Sequence, residues 1–138
     1  MKVFFDTNVY VAEALLGEAA ERMVQATRDA SWRIYTCREQ LDELERVLTE
    51  ELDFSRRLSH LSRSRILHRA ALVQSGASPH EVPDDPKDNP MLQTALAVGA
   101  DYLVSNDAHL LALDPYEGLR IVSLTQFYQT LQYEGLLP

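Results

Sequence analysis

The sequence has little cysteine, no long apolar run and no surplus of positive charge. Cys37 is its single cysteine, so no internal disulfide can form, which suits a reducing compartment. No stretch approaches the ~20 consecutive apolar residues that a membrane-spanning helix needs. The opening run Val3-Phe4-Phe5 meets an aspartate at once and is too short for a secretion signal. The expectation is a cytoplasmic protein with no membrane partner. A net charge of −8 argues against a general nucleic-acid coat protein, whose surface must be cationic to hold phosphates. It does not argue against a metal-dependent enzyme, because bound cations reverse the sign of an acidic pocket. Neither a P-loop nor a Gly-x-Gly-x-x-Gly turn is present, which removes the commonest phosphate cradles of nucleotide-binding folds.

What is present fits one domain, residues 1–138. The chain is 46% hydrophobic and 25% charged, enough for a packed core. Short apolar runs at Val3–Phe5, Arg33–Thr36, Tyr102–Val104 and Arg120–Val122 read as strands, with a further short one at Ala71–Gln74. Between them the pattern predicts helices over Val9–Leu16, Glu18–Ala30, Arg38–Leu52, Phe54–Leu72, Asp107–Leu113 and Gln126–Tyr133. Another opens at Asn89-Pro90 and is ended by Gly99. Thr36-Cys37-Arg38-Glu39 has the form of a capping box. Ser75–Lys87, with three prolines and a glycine, reads as a loop. Strands alternating with helices imply an α/β fold, a parallel sheet covered on both faces. Such sheets bind ligands beyond the carboxyl ends of their strands, where the strand order reverses.

Asp6 and Asp107 stand where that crevice would be, and Glu43 and Asp88 are candidates to join them. Asp6 and Asp107 each follow an apolar strand and precede a helix. Asp88 precedes the helix opened by Asn89. Glu43 lies four residues before Val47, on the flank of the apolar stripe Leu41, Leu44, Val47, Leu48 and Leu52. Each has a plain alternative: Asp6 and Asp107 as helix caps, Asp88 as a solvated loop acid, Glu43 as part of a solvated face. Together they are a stronger signal, because gathered carboxylates repel one another unless a hard cation such as Mg²⁺ offsets them. Asn8 and Ser105 are candidates to orient those carboxylates, with turn and cap roles as their alternatives.

Between Phe54 and His80 there is no acidic residue, and Arg56, His60 and Arg63 fall on one helical face. They are candidates for contacting RNA phosphates, the alternative being a solvated or acid-paired face. His60, His68 and His80 lack zinc spacing and no cysteine pair accompanies them. An aspartyl-nucleophile phosphatase is disfavoured, because Asn8 stands where its acid/base aspartate would be.

In these segments the chain resembles the PIN-domain family, in particular bacterial and archaeal members described as toxins of toxin–antitoxin pairs. The resemblance is carried by Phe5-Asp6-Thr7-Asn8-Val9, by Glu43-Leu44-Glu45-Arg46-Val47-Leu48, by Asp85-Pro86-Lys87-Asp88-Asn89-Pro90-Met91-Leu92, and by Ala100-Asp101-Tyr102-Leu103-Val104-Ser105-Asn106-Asp107. Asn106 departs from the family, which often has glycine there. The resemblance implies a three-layer α/β/α domain with a central parallel sheet of four to five strands. It implies a Mg²⁺- or Mn²⁺-dependent ribonuclease with Asp6, Glu43, Asp88 and Asp107 as its catalytic acids. Of these, Asp6, Asp88 and Asp107 would hold the metal. It also implies an RNA substrate, an antitoxin partner and a homodimer. The rival reading is a non-catalytic PIN-like module that binds RNA or protein.

Overall fold

A computed structural model describes residues 1–74 and 89–138. The expected loop at Ser75–Lys87 therefore lies outside the described residues, and so does Asp88. The chain runs β1 (Lys2–Phe5), α1 (Thr7–Ala14), α2 (Glu18–Asp29), β2 (Arg33–Cys37), α3 (Arg38–Arg46), α4 (Arg56–Arg69) and β3 (Ala71–Val73). It continues through α5 (Pro90–Ala97), β4 (Tyr102–Val104), α6 (Ala108–Leu111), β5 (Arg120–Val122) and α7 (Leu124–Tyr133). The five strands form one sheet in the order β3-β2-β1-β4-β5, every pair parallel. Chain order reverses at β1: β2 and β3 build outward on one side, β4 and β5 on the other.

Alternation along β1 divides the interior into two cores. Val3 and Phe5 point into one, with Leu41, Leu44 and Leu48 from the α3 region, Ile66 from α4 and Phe127 from α7. Phe4 points into the other, with Leu92 and Ala95 from α5, Leu103, Leu110 and Ile121. All three β1 side chains are fully buried, which is why the run reads as continuously apolar rather than alternating. Among the described residues, no helix is long and apolar enough to cross a membrane.

Local chemistry sets the boundaries. Asp6 caps α1, so the helix begins at Thr7, two residues earlier than the apolar pattern suggests. Gly17 follows because the chain turns tightly onto α1: its N–H bonds Ala12 O at 2.9 Å, and an added Cβ would sit 2.6 Å from that oxygen. The capping box at Thr36 does not form. Pairing with β3 draws Thr36 and Cys37 into β2, and the buried Thr36 hydroxyl donates to Gln40 Oε1 at 2.6 Å. Nor is the helix from Arg38 uniform: Val47–Glu51 widens into one π-helical turn, a feature that often marks functional positions. α4 stops at Arg69 because the next residues pair with β2 as the edge strand β3.

Candidate active site

Asp6, Glu43 and Asp107 are brought to the carboxyl ends of β1 and β4, where the strand order reverses. The sheet ladder itself places the first. Asp6 N–H continues the β1–β4 pairing by donating to Val104 O at 2.8 Å, and Ser105 N–H donates to Val122 O at 2.9 Å. These bonds hold the ends of β1, β4 and β5 level, so Asp6 and Ser105 meet although 99 positions separate them. The Ser105 hydroxyl donates to Asp6 Oδ2 at 2.7 Å and accepts the Asp107 N–H at 3.0 Å. One buried serine thus ties the two aspartates to each other.

The third acid comes from α3. Gln40, fully buried, donates to Phe5 O at 2.5 Å and accepts from Thr36. That bridge docks the first turn of α3 onto the end of β1. One turn later Glu43 reaches Thr7, whose hydroxyl donates to Glu43 Oε2 at 3.1 Å. Thr7 N–H in turn donates to Asp6 Oδ1 at 2.8 Å. Thr7 and Gln40 were not singled out in the sequence, and Thr36 was read only as a helix cap. Thr7 could have been found from its place beside Asp6; Gln40 looks like any polar residue of a charged helix.

Electrostatics set this cluster apart. Asp6 is only 8% exposed, and burial raises its pKa above the usual carboxylate range. The bonds from Ser105 and Thr7 oppose that rise, and the nearby charge of Asp107 adds to it. Burial likewise raises Glu43; the Thr7 hydroxyl opposes it, Asp6 adds to it and Arg46 opposes it. The charge of Asp107 thus bears on Asp6 and that of Asp6 on Glu43, and no cation forms an ion pair with any of the three carboxylates among the described residues. Asp107 also caps α6, accepting His109 N–H at 2.8 Å, so its capping and crevice roles coexist.

Asp6, Glu43 and Asp107 suit Mg²⁺ or Mn²⁺ in kind, being hard oxygen donors whose mutual repulsion a cation relieves. Glu43 Oε1 and Asp107 Oδ2 accept no hydrogen bond among the described residues. Yet no three acidic, histidine or cysteine side chains there lie close enough to enclose an ion by themselves.

Asn8 is exposed on the first turn of α1 and makes no side-chain hydrogen bond among the described residues. Asn89 accepts the N–H groups of Met91 and Leu92, fixing the start of α5 beside β1 and β4. Asn106, the departure from the family pattern, accepts Leu124 N–H at 3.1 Å and so joins the β4 end to α7. Of the expected RNA contacts, Arg63 is held by Asp42 at 2.9 Å and His60 lies 3.8 Å from Glu45. Arg56 is exposed and unpaired among the described residues.

No curated protein matches the chain. The family model described as PIN domain matches residues 2–109, a span containing Asp6, Glu43 and Asp107. Members of that family are in general metal-dependent nucleases. With a five-stranded parallel sheet between helical layers and a match over most of its length, the chain belongs to the PIN-domain family.

Proposed function

We propose that the protein is a metal-dependent ribonuclease that hydrolyses RNA phosphodiester bonds at the β1–β4 crevice, acting as the toxin of a toxin–antitoxin pair. The observation that supports this best is the Asp6–Ser105–Asp107 tie with Glu43 joined to it through Thr7. Desolvated acids without a cation destabilise a fold, and a site that must take up a cation explains why they are kept.

In this reading Asp6 and Asp107, with Asp88 from the sequence pattern, hold the ion, and Glu43 completes the site directly or through water. When bound, a divalent cation supplies Lewis acidity and offsets charge developing on the scissile phosphate. The protein's own part is orientation. Ser105 holds Asp6 Oδ2 and the Asp107 backbone in one arrangement, and Thr7 fixes Asp6 Oδ1 against Glu43 Oε2. Positioned carboxylates of this kind lower the entropic part of a barrier.

The test is cleavage of RNA by purified protein with Mg²⁺ or Mn²⁺ and with EDTA. Cleavage that is metal-dependent and lost in Asp6→Asn, Asp88→Asn and Asp107→Asn supports the assignment; cleavage surviving all three removes it. The toxin role adds growth arrest on expression, relieved by a protein encoded beside it. That no three acidic, histidine or cysteine side chains among the described residues group closely enough to hold an ion favours a second reading, a PIN-like module that binds RNA or protein without cutting. Stable RNA binding with no cleavage in any divalent metal would select it.

A further inference from the structure

α4 carries five arginines, and their neighbours sort them. Arg69 grips buried Glu13 with two hydrogen bonds. Arg65 lies 3.3 Å from Glu21 and 3.7 Å from Glu13. Arg63 answers both Asp42 and Glu45, at 2.9 and 3.8 Å. Only Arg56 and Arg57 form no ion pair among the described residues, and both are exposed. They line a groove between α3 and α4 whose far wall includes Arg46 and Thr49 on the π-helical side, with His60 and Ser59 along α4. Asp42 and Glu45 also border it; Arg63 pairs with both, one cation against two carboxylates. Arg46 is engaged only by exposed Glu50 and Glu51, at 3.9 and 3.3 Å, pairs that exchange readily for a stronger anion.

Two further observations give the groove a purpose. Ser59 is 2% exposed, and its hydroxyl is the one buried side-chain polar atom among the described residues without a hydrogen-bond partner. Buried hydroxyls are nearly always bonded; this one is enclosed in the groove's wall and would meet an acceptor in the groove by turning outward. The groove also lies within one helical turn of Glu43, because Asp42 and Arg46, which line it, flank Glu43 on α3.

We propose that the α3–α4 groove is a phosphate track for a single RNA strand, in which Arg56 and Arg57, with Arg46, hold phosphodiesters flanking the one in the crevice. Its placement beside the cutting point rests on the nuclease reading; the RNA binding itself does not. A cleft between two packed helices admits one backbone rather than the two of a duplex. The track also gives a chain of net charge −8 a place to hold a polyanion, since α4 carries five arginines and no acidic residue.

Binding of a short fluorescein-labelled oligoribonucleotide tests this, read by anisotropy across a salt series in EDTA and again in Ca²⁺. The double variant Arg56→Gln/Arg57→Gln is expected to bind about tenfold more weakly. The slope of log affinity against log salt should flatten by about 1.4, roughly 0.7 for each lost single-strand phosphate contact. Arg22→Gln, at an exposed arginine of α2, is expected to leave affinity and slope unchanged. Ser59→Ala is expected to weaken binding a few-fold with the slope intact. Wild-type affinity and slope in the double variant, or no RNA binding by the wild type in either condition, overturn the track; a groove that receives a protein instead gives the first result. Cleavage of the same oligonucleotide with Mn²⁺ reads the nuclease assignment separately. Arginine-dependent binding without cleavage keeps the track and removes the nuclease, whereas cleavage with binding indifferent to Arg56 and Arg57 does the reverse.

Discussion

Two buried acids stand two helical turns apart near α1, and the protein treats them in opposite ways. Glu13, 4% exposed, is met by the Arg69 guanidinium through two hydrogen bonds, with Arg65 nearby. Asp6, 8% exposed, is met by an amide and a hydroxyl, and its nearest charges are other carboxylates. A fold selected for stability alone would supply both acids with a cation, since an uncompensated buried charge costs several kcal/mol. Glu13 is a closed structural tie between α1 and α4. Asp6 is left open, and what it lacks is what a divalent ion brings.

The comparison can be broken in four places. The largest effect is expected on chemistry: Asp6→Asn or Asp107→Asn should lower metal-dependent RNA cleavage about a thousandfold or more, several kcal/mol of transition-state stabilisation. Circular dichroism should be unchanged, because asparagine caps a helix as well as aspartate does. Next, Arg69→Ala should destabilise the fold by roughly 3–5 kcal/mol, the cost of stranding a buried carboxylate. Denaturant titration measures it, and Glu13→Gln/Arg69→Met should recover much of the loss. An Arg69→Ala protein as stable as wild type would show that the tie is unimportant.

Third, Mn²⁺ at a hundred times its dissociation constant should stabilise the wild type by about 2.7 kcal/mol and Asp6→Asn by far less, read as melting temperature with and without metal. The smallest effect is on pH dependence without metal. Burial raises the pKa of Asp6 in the fold. The folded state therefore binds its proton more tightly than the unfolded chain does, and ionisation costs stability. The cost sets in as pH rises through the ordinary aspartate pKa and is complete above the raised one. Asp6→Asn should then match the wild type at low pH and exceed it at neutral pH. A gap that narrows as pH rises would contradict the assigned direction.

Strands were legible where both faces are covered. Tyr102–Val104 and Arg120–Val122 have the expected limits, because their buried residues Leu103, Val104, Ile121 and Val122 read as apolar runs; Arg120, at the start of β5, stays exposed. Local motifs were less safe. Thr36-Cys37-Arg38-Glu39 satisfies the capping pattern, yet pairing with β3 extends β2 through Cys37 and leaves Thr36 to Gln40. Helical spacing correctly put Arg56, His60 and Arg63 on one side of α4. It could not show that α3 packs there and takes Arg63 with Asp42.

The site divides the same way. The chain order of acids, each after a strand or along a helix flank, was visible as a pattern of residue types. The links that make it a site join Thr7 to Glu43 and Ser105 to Asp6, across 36 and 99 positions. No local rule reaches that far.

By itself the sequence determined the alternation of strand and helix, the acids at strand ends and the basic stretch of α4, because burial and periodicity are written residue by residue. Only the tertiary structure decided which charges are answered. Asp6 goes without a cation, Glu13 receives one, and Arg56 and Arg57 remain unpaired among the described residues. A charge's surroundings are set by whichever distant segment packs against it, and that is a property of the fold rather than of its neighbours in the chain.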